Sequence, residues 1–517
     1  VHNKGIIAAG HPATLEAAEL MLREGGNAFD AIVAAHFAAC VAEPVLASLA
    51  GGGFLLAHTH DNQDMVYDFF VQTPRRKLPV VDQDFYPISA NFGVAQQEFH
   101  IGLGAVATPG TVKGLSAIHR DLCTIPLERL VEPALILARN GVRTNPFHAY
   151  IFEIVQPIFS ATDEARRTFS SEHYDQGLVR EGDLLKQPQL ADTLEALTHE
   201  GEALFYRGEI AARIETLCRE EGGHLDRQDL EHYRIYKRNS LEVAYHDTTV
   251  LTNPPPSTGG ILIAFALRLL YDQQVAVYKT GSRMHIDLLC KVMELTDKAR
   301  IDTELLRSHP SYERHLLHPE YIGKYRRHIM GRAQFTRGTT HVGIIDQWGN
   351  IASMSMSNGE GCGHMIPGTG IMLNNMLGEE DLNSGGFNTW STDQRMSSMM
   401  SPTLLLTPSG DMIALGSGGS NRIRTAILQV IINLLDYNMQ LEDAVNSPRI
   451  HFERGLLNIE DGFQHDEIAR LVEMYPQHKI WQDRNLFFGG THAVMRKTRQ
   501  FVGAGDPRRG GVAKIVS

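Results

Sequence analysis

Thr339, within Arg337-Gly338-Thr339-Thr340-His341, has the clearest chemical potential in the chain. It heads a strand-like run ending at Asp346, followed by a Gln347-Trp348-Gly349-Asn350 turn and the segment 351–357. That segment alternates small polar and apolar residues with period two, the mark of a half-buried strand. A threonine opening a hairpin is ordinary in itself, because β-branched residues favour strands. Cutting the peptide bond before it would change its chemistry, since one residue would then carry a hydroxyl nucleophile and its own α-amino base. An unperturbed α-amino group titrates at about 7.7–8.0, which suits a base near neutrality. Gly338 has no side chain, so the backbone there can adopt the strained geometry that brings the Thr339 hydroxyl to the preceding carbonyl.

Two further features could serve that nucleophile. Ser353, Ser355 and Ser357 share one strand face; the face is either a polar surface towards water or a source of supporting hydroxyls. The loop Gly416-Ser417-Gly418-Gly419-Ser420-Asn421-Arg422 joins a predicted strand to a predicted helix. Glycines there allow close backbone approach, and N–H groups at a helix start can face an anion. A nucleotide-phosphate reading of the loop is weaker, because neither G-x-x-x-x-G-K-[ST] nor G-x-G-x-x-G is present. The bland alternative is a helix cap. The chain has 24 histidines but no H-E-x-x-H and no close His/Cys cluster, so neither a catalytic metal nor a cofactor is expected. His341 and His364 are expected to be hydrogen-bonded structural residues.

These residues must be held by a sizeable scaffold. The 517 residues are 43% hydrophobic and 21% charged, which suits a globular protein with an ample core. The net charge of −12 argues against nucleic-acid and anionic-membrane partners. Arg326-Arg327-His328 and Arg508-Arg509 are expected to be solvated or to make local contacts. Five widely spaced cysteines with no C-x-x-C make a disulfide framework unlikely to be needed and fit a reducing compartment. No run of about 18 apolar residues predicts a membrane helix. The start at Val1 shows no signal peptide, so the expectation is cytoplasmic, or periplasmic if the N-terminus was trimmed.

Helical spacing marks 12–24, 28–42, 112–119, 127–139, 190–199, 209–220, 261–270, 284–301 and 425–435. The 28–42 helix is apolar around most of its circumference, as befits burial between layers, and Asn27 is its expected cap. Strands are expected at 54–58, 65–70, 241–244, 248–252, 342–345, 351–357, 370–373, 403–407, 412–416, 492–496 and 500–503. Helix runs flanking strand runs suggest an α+β fold with helices packed on two stacked sheets.

In this order along the chain stand Gly26-Asn27-Ala28-Phe29-Asp30-Ala31, Glu43-Pro44, Gly51-Gly52-Gly53-Phe54, Pro109-Gly110-Thr111-Val112 and Pro254–Gly260. Thr339-Thr340-His341 with Asp346 and Gly349-Asn350, Gly370–Asn375, Met400-Ser401-Pro402-Thr403 and Gly416–Arg422 continue the series. The ordered set resembles the γ-glutamyltranspeptidase family of N-terminal-nucleophile hydrolases. The resemblance implies a four-layer αββα sandwich. It also implies self-cleavage into 1–338 and 339–517, which would stay associated as one interleaved domain, with homo-oligomerisation left open. Thr339 would attack an amide or peptide donor, form an acyl-enzyme and pass the acyl group to water or an amine. Ser357 would hydrogen-bond the nucleophile, and Gly419 and Ser420 would form the oxyanion hole. Asn375, Glu379, Ser397 and Ser398 would bind substrate.

The chain departs from the family pattern where substrate is bound. Phe70 stands where an arginine is expected for the γ-glutamyl α-carboxylate. Gly359 replaces an asparagine and Met376 a glutamine, and the nearby acid is Glu379. The paired serines fall on Ser398 and Met399, or on Ser397 and Ser398. Arg395, Arg422 and Arg424 are candidates for a relocated anchor. The nucleophile machinery therefore reads as complete while glutathione-type recognition does not. The alternative from another class is an uncut, inactive binding or scaffold protein.

Overall fold

The computed structural model describes residues 3–91, 96–171, 177–302, 316–318, 321–322, 338–383, 386–498 and 500–517. Arg326-Arg327-His328 and Arg337 lie outside them. Two antiparallel sheets form the centre. The seven-stranded sheet runs in the order Val512–Val516, Gly5–Ala9, Thr340–Asp346, Ile351–Ser357, Gly52–His58, Asp64–Asp68 and Tyr236–Arg238. The six-stranded sheet runs Gln500–Ala504, Gly490–Lys497, Met412–Gly418, Thr403–Leu406, Thr248–Thr252 and Leu241–Tyr245. Each sheet mixes strands from before and after the Gly338–Thr339 bond.

Helices Pro12–Arg23 and Ala28–Ala42 cover the outer face of the first sheet, and Gly259–Leu270 and Arg422–Leu435 cover that of the second. The result is the four-layer αββα sandwich. Every residue of Ala28–Ala42 is buried, which explains why its sequence lacks a polar stripe. Its start is fixed by a capping box between Asn27 and Asp30, and Asp30 also accepts from the Thr124 and Ile125 backbones at 2.8 and 2.9 Å.

The strands that carry the chemistry are buried on both faces. Val342 and Ile344 pack towards the helices with Ile7 and Met354. A β-carbon added to Gly343 would instead meet Val494 of the second sheet. The alternation predicted for 351–357 is therefore correct in period but not in environment. Ser353 and Ser355 are fully buried and Ser357 is 6% exposed, so the water-facing alternative is wrong. Ser355 meets His341 Nδ1 at 2.8 Å, and Ser353 points to the Leu415 carbonyl. The hydroxyls face the other sheet because two packed sheets leave no solvent side for the central strands. The strands Gly5–Ala9 and Val512–Val516, absent from the sequence expectations, complete the first sheet.

The turn joining the two chemical strands is organised by Asp346. One carboxylate oxygen accepts from the backbones of Trp348, Gly349 and Asn350 at 2.9–3.0 Å. The other accepts from Asn350 Nδ2 at 2.7 Å and from the Ala28 backbone at 3.0 Å. The same side chain thus closes the hairpin and ties it to the first helix layer. Removing it strands several buried N–H groups, and hydrogen bonds to charged groups contribute about 1.5–3 kcal/mol each. Asp346→Ala is expected to lower stability by about 3 kcal/mol or more, read from the shift of the chemical-denaturation midpoint.

Candidate active site

Strand register brings the nucleophile and its supporting hydroxyl together. Thr340 pairs with Met356 and Gly343 with Ser353, so Thr339 and Ser357 stand opposite each other at the open end of the hairpin. Both hydroxyls donate to one acceptor, the Gly338 carbonyl oxygen. Thr339 Oγ1 lies 2.6 Å from it and Ser357 Oγ 2.5 Å. Ser357 Oγ also accepts from the Gly359 backbone at 3.1 Å, which orients its proton towards Gly338. Gly338 has φ of 49°, a left-handed conformation available to glycine at little cost. Any side chain there would also collide with the Gly359 carbonyl, 2.3 Å from the β-carbon position.

The second sheet approaches from the other side. A β-carbon on Gly418 would lie 2.1 Å from the Thr339 carbonyl oxygen, and one on Gly416 would lie 2.3 Å from the His341 ring. This two-residue repeat of glycines is what lets the sheets close on Thr339. His341 is held well below the ordinary imidazole range by burial, reinforced by His492 and His36, and burial brings His492 itself down to about 4. Both are neutral structural groups. His364 lies apart, between Asp84 and Glu221 at 3.0 and 3.5 Å. On the opposite strand face, Thr340 Oγ1 donates to Glu43 at 2.8 Å and Thr14 Oγ1 donates to its other oxygen at 2.7 Å. Burial pushes the Glu43 carboxyl up, against the pull of those two hydroxyls.

A pocket borders the junction, lined among the described residues by Phe70, Gly338, Thr339, Ser357, Gly359, Met376, Glu379, Leu382, Ser398, Met399, Met400, Ser420 and Ile423. Its volume is about 30 Å³, room for one or two waters. Of the expected site residues, Thr339, Ser357, Ser420, Glu379, Ser398 and Gly338 converge here. Ser420 has φ of 50°, uncommon for a residue other than glycine, and Gly419 has φ of 119°; the loop is in the left-handed region at both positions before the helix begins at Arg422.

Gly419, Asn375 and Ser397 are not among the described lining residues. Asn375 lies beneath the pocket, accepting from the Glu360 backbone at 2.9 Å. Ser397 turns to Thr258, 3.2 Å away. Ser398 and Met399 both line the pocket, whereas Ser397 is not among its described lining residues.

None of the three arginines considered as relocated anchors lines the pocket. Arg395 bonds the carbonyls of Phe70 and Arg234, donates to Tyr233 Oη at 2.9 Å and lies 3.4 Å from Asp68. Arg424 pairs with Glu453 at 3.2 Å and Asp297 at 3.4 Å. Arg422 donates to the Phe487 carbonyl at 3.1 Å and stacks over the Phe487 ring.

Arg508 and Arg509 are buried, at 4% and 5% exposure, which corrects the solvated alternative. Arg508 is held by Glu460 at 2.5 Å and Asp506 at 3.2 Å. Arg509 reaches the Thr339 carbonyl at 3.5 Å. Burial, with Arg422 adding to it, lowers the Arg509 guanidinium to about 10. Sequence reasoning missed Arg509 because an Arg-Arg pair next to Gly510-Gly511 has the composition of a surface turn.

Residues 14–516 match the family model described as Gamma-glutamyltranspeptidase. The chain belongs to that family. A glutathione hydrolase proenzyme from Bacillus subtilis (strain 168) is 28% identical, over 99% of this chain and 92% of the relative. The Acylase ACY 1 proenzyme from Pseudomonas sp. (strain V22) is also 28% identical, over 95% of this chain and 90% of its own. The crystal structure of cephalosporin acylase from Bacillus halodurans superposes with a TM-score of 0.84 at 23% identity, over 99% of this chain and 96% of that one, a likeness of fold. The chain is accordingly a γ-glutamyltranspeptidase-like amidohydrolase or acyltransferase of the N-terminal-nucleophile type, and the inactive-scaffold alternative is not favoured.

With Thr339 as the attacking group, the Ser357 hydroxyl on the Gly338 carbonyl is the one placed to stabilise negative charge as it develops on that oxygen, and removal of one such donor typically costs about 10²–10³ in rate. Ser357→Ala is expected to slow cleavage of the Gly338–Thr339 bond by that order while leaving the fold intact, followed by a denaturing-gel time course of freshly purified chain.

Proposed function

We propose that the chain cuts itself between Gly338 and Thr339, and that the freed Thr339 then transfers an uncharged acyl group from an amide donor to water or an amine. The observation that carries the first step is the convergence of the Thr339 and Ser357 hydroxyls on the Gly338 carbonyl. In that step the Thr339 oxygen adds to the Gly338 carbonyl carbon, the amide C–N bond breaks, and the resulting ester is hydrolysed by water. Fragments 1–338 and 339–517 remain joined by the strand pairing that runs across both sheets. In turnover the α-amine takes the proton from the Thr339 hydroxyl as it attacks the donor, and the loop at Gly419 and Ser420 supplies N–H groups to the oxyanion. Water or an amine then attacks the threonyl ester, with the same amine as base.

The nature of the acyl group follows from the pocket wall. Phe70, Met376, Leu382, Met399, Met400 and Ile423 make it apolar, Glu379 is the acid among the described lining residues, and no arginine or lysine is among them. A donor carboxylate would be buried beside Glu379 without a cation, which is costly. The relatives named as acylases are compatible with such a donor, and those named as glutathione hydrolases support the competing γ-glutamyl one. No helix among the described residues is long and apolar enough to cross a membrane.

Thr339→Ala is expected to remain a single 517-residue chain without activity, and Thr339→Ser to retain part of both cleavage and turnover. Intact-mass measurement of denatured protein after incubation checks this; an alanine variant cut at the same bond would mean the nucleophile is elsewhere. On cleaved enzyme, kcat/KM for neutral acyl p-nitroanilides is expected to exceed that for the γ-glutamyl and glutaryl anilides by about 10²-fold, the consequence of one or two missing charge-assisted hydrogen bonds. A clear preference for the γ-glutamyl anilide would assign the chain to conventional γ-glutamyl transfer with an anchor outside Phe70.

A further inference from the structure

Glu360 is a buried carboxylate at the processing junction that the cross-strand hydroxyls and the donor pocket do not use. Its backbone N–H donates to Asn375 Oδ1 at 2.9 Å, which pins the turn that follows Ser357. Its side chain is 1% exposed, and neither carboxylate oxygen has a hydrogen-bond partner. A buried carboxylate with no hydrogen bond is costly even with the Arg509 guanidinium acting on it through space, and an unsatisfied buried group in a native chain calls for a specific cause. A β-carbon on Gly338 would lie 3.0 Å from Glu360 Oε1, so bond lengths alone put the Thr339 nitrogen within about 7 Å of it. In the uncut chain that nitrogen is a neutral amide and makes no hydrogen bond to the carboxylate.

Resting on the reading that Thr339 is freed by self-cleavage, we propose that Glu360 is the counter-ion of the Thr339 α-ammonium group created at the cut. The balance is that of amide hydrolysis. One water supplies OH to the Gly338 carbonyl carbon and H to the Thr339 nitrogen, and the C–N bond breaks. The proton of the new carboxylic acid is lost to solvent and the amine takes one, giving a carboxylate and an ammonium. Gly338 is then no longer tethered to Thr339, and the carboxylate, which already acts through space on the Arg509 guanidinium, gains a cation at the junction itself.

Other charges surround that amine. Arg509, from the Pro507–Arg509 turn, touches the Thr339 carbonyl and acts through space on Glu360, and Arg422, at the start of the Arg422–Leu435 helix, lies close enough to act on Arg509. Glu379 faces the junction from the pocket wall. His341 and His492 are neutral, and Glu43 lies on the far face of the strand, bonded to Thr340. Glu360 favours the ammonium form, whereas Arg509 and Arg422 favour the free amine. Glu360 is therefore a positioning residue: it orients the amine and sets its protonation without touching the reacting carbonyl.

The test is the acid limb of kcat/KM against pH, which reports the essential base of the free enzyme, measured with a neutral acyl p-nitroanilide on self-cleaved wild type, Glu360→Gln and Glu360→Asp. Loss of the carboxylate lowers the amine's affinity for its proton, so in Glu360→Gln the limb is expected about one pH unit lower, with Glu360→Asp restored towards wild type. An unmoved limb in Glu360→Gln, or an aspartate variant that behaves like the glutamine one, would overturn the proposal. So would a Glu360→Gln chain that stays uncut, because the residue would then act before the amine exists. Failure of the underlying reading has a separate signature: a Thr339→Ala chain that still cleaves.

Discussion

The register between Thr340–Asp346 and Ile351–Ser357 is the constraint on which the chemistry depends. It sets Thr339 opposite Ser357 and so puts two hydroxyls on one carbonyl. A slip of one residue would turn Ser357 to the helix layer and bring Met356 to the nucleophile, because side chains alternate faces along a strand. The hydrogen bonds that the Asp346 carboxylate accepts prevent that slip from the far end of the hairpin. The family motif Asp346…Gly349-Asn350 is thus a registration device, seven residues along the strand from the group it registers.

The packed sheets turn this registered pair into a reactive one. Ser357, Ser355 and Ser353 face the second sheet, whose Gly416 and Gly418 allow it to close on His341 and Thr339. Thr339 and Ser357 are buried, so their hydroxyl contacts on the Gly338 carbonyl act in a poorly screened environment. The same closure explains the small pocket of the uncut chain, since Gly338 occupies the entrance to its own site. Apolar walls at Phe70, Met376 and Met400 then make the donor preference a question of desolvation. Arg395 cannot relieve it, because its guanidinium is taken up by Asp68, Tyr233 and two carbonyls.

Much of the scaffold was legible because its signals are local. The buried Ala28–Ala42 helix, its Asn27 cap and the 351–357 strand follow from periodicity and capping chemistry. The Gly5–Ala9 and Val512–Val516 strands were not, because five-residue segments carry little periodicity and their pairing partners, Thr340–Asp346 and each other, are distant in sequence. The water-facing alternative for Ser353 and Ser355 failed for a related reason: alternation reports which residues share a face, while the neighbour of that face is a tertiary matter.

The sequence by itself determined the nucleophile candidate, the glycine before it, the supporting Ser357 and the loss of an arginine at position 70. Thr339 and Gly338 follow from residue type at adjacent positions, while the supporting role of Ser357 and the loss of an arginine at position 70 are what the family resemblance implies. Only the tertiary structure decided that Ser398 and Met399, rather than Ser397 and Ser398, reach the pocket, and that Arg395 and Arg424 are committed elsewhere. It alone brought Arg509, 170 residues beyond Thr339, and Glu360, whose carboxylate makes no hydrogen bond, to the junction. Charge pairing and desolvation act through space across separate elements, so no local pattern in the chain records them.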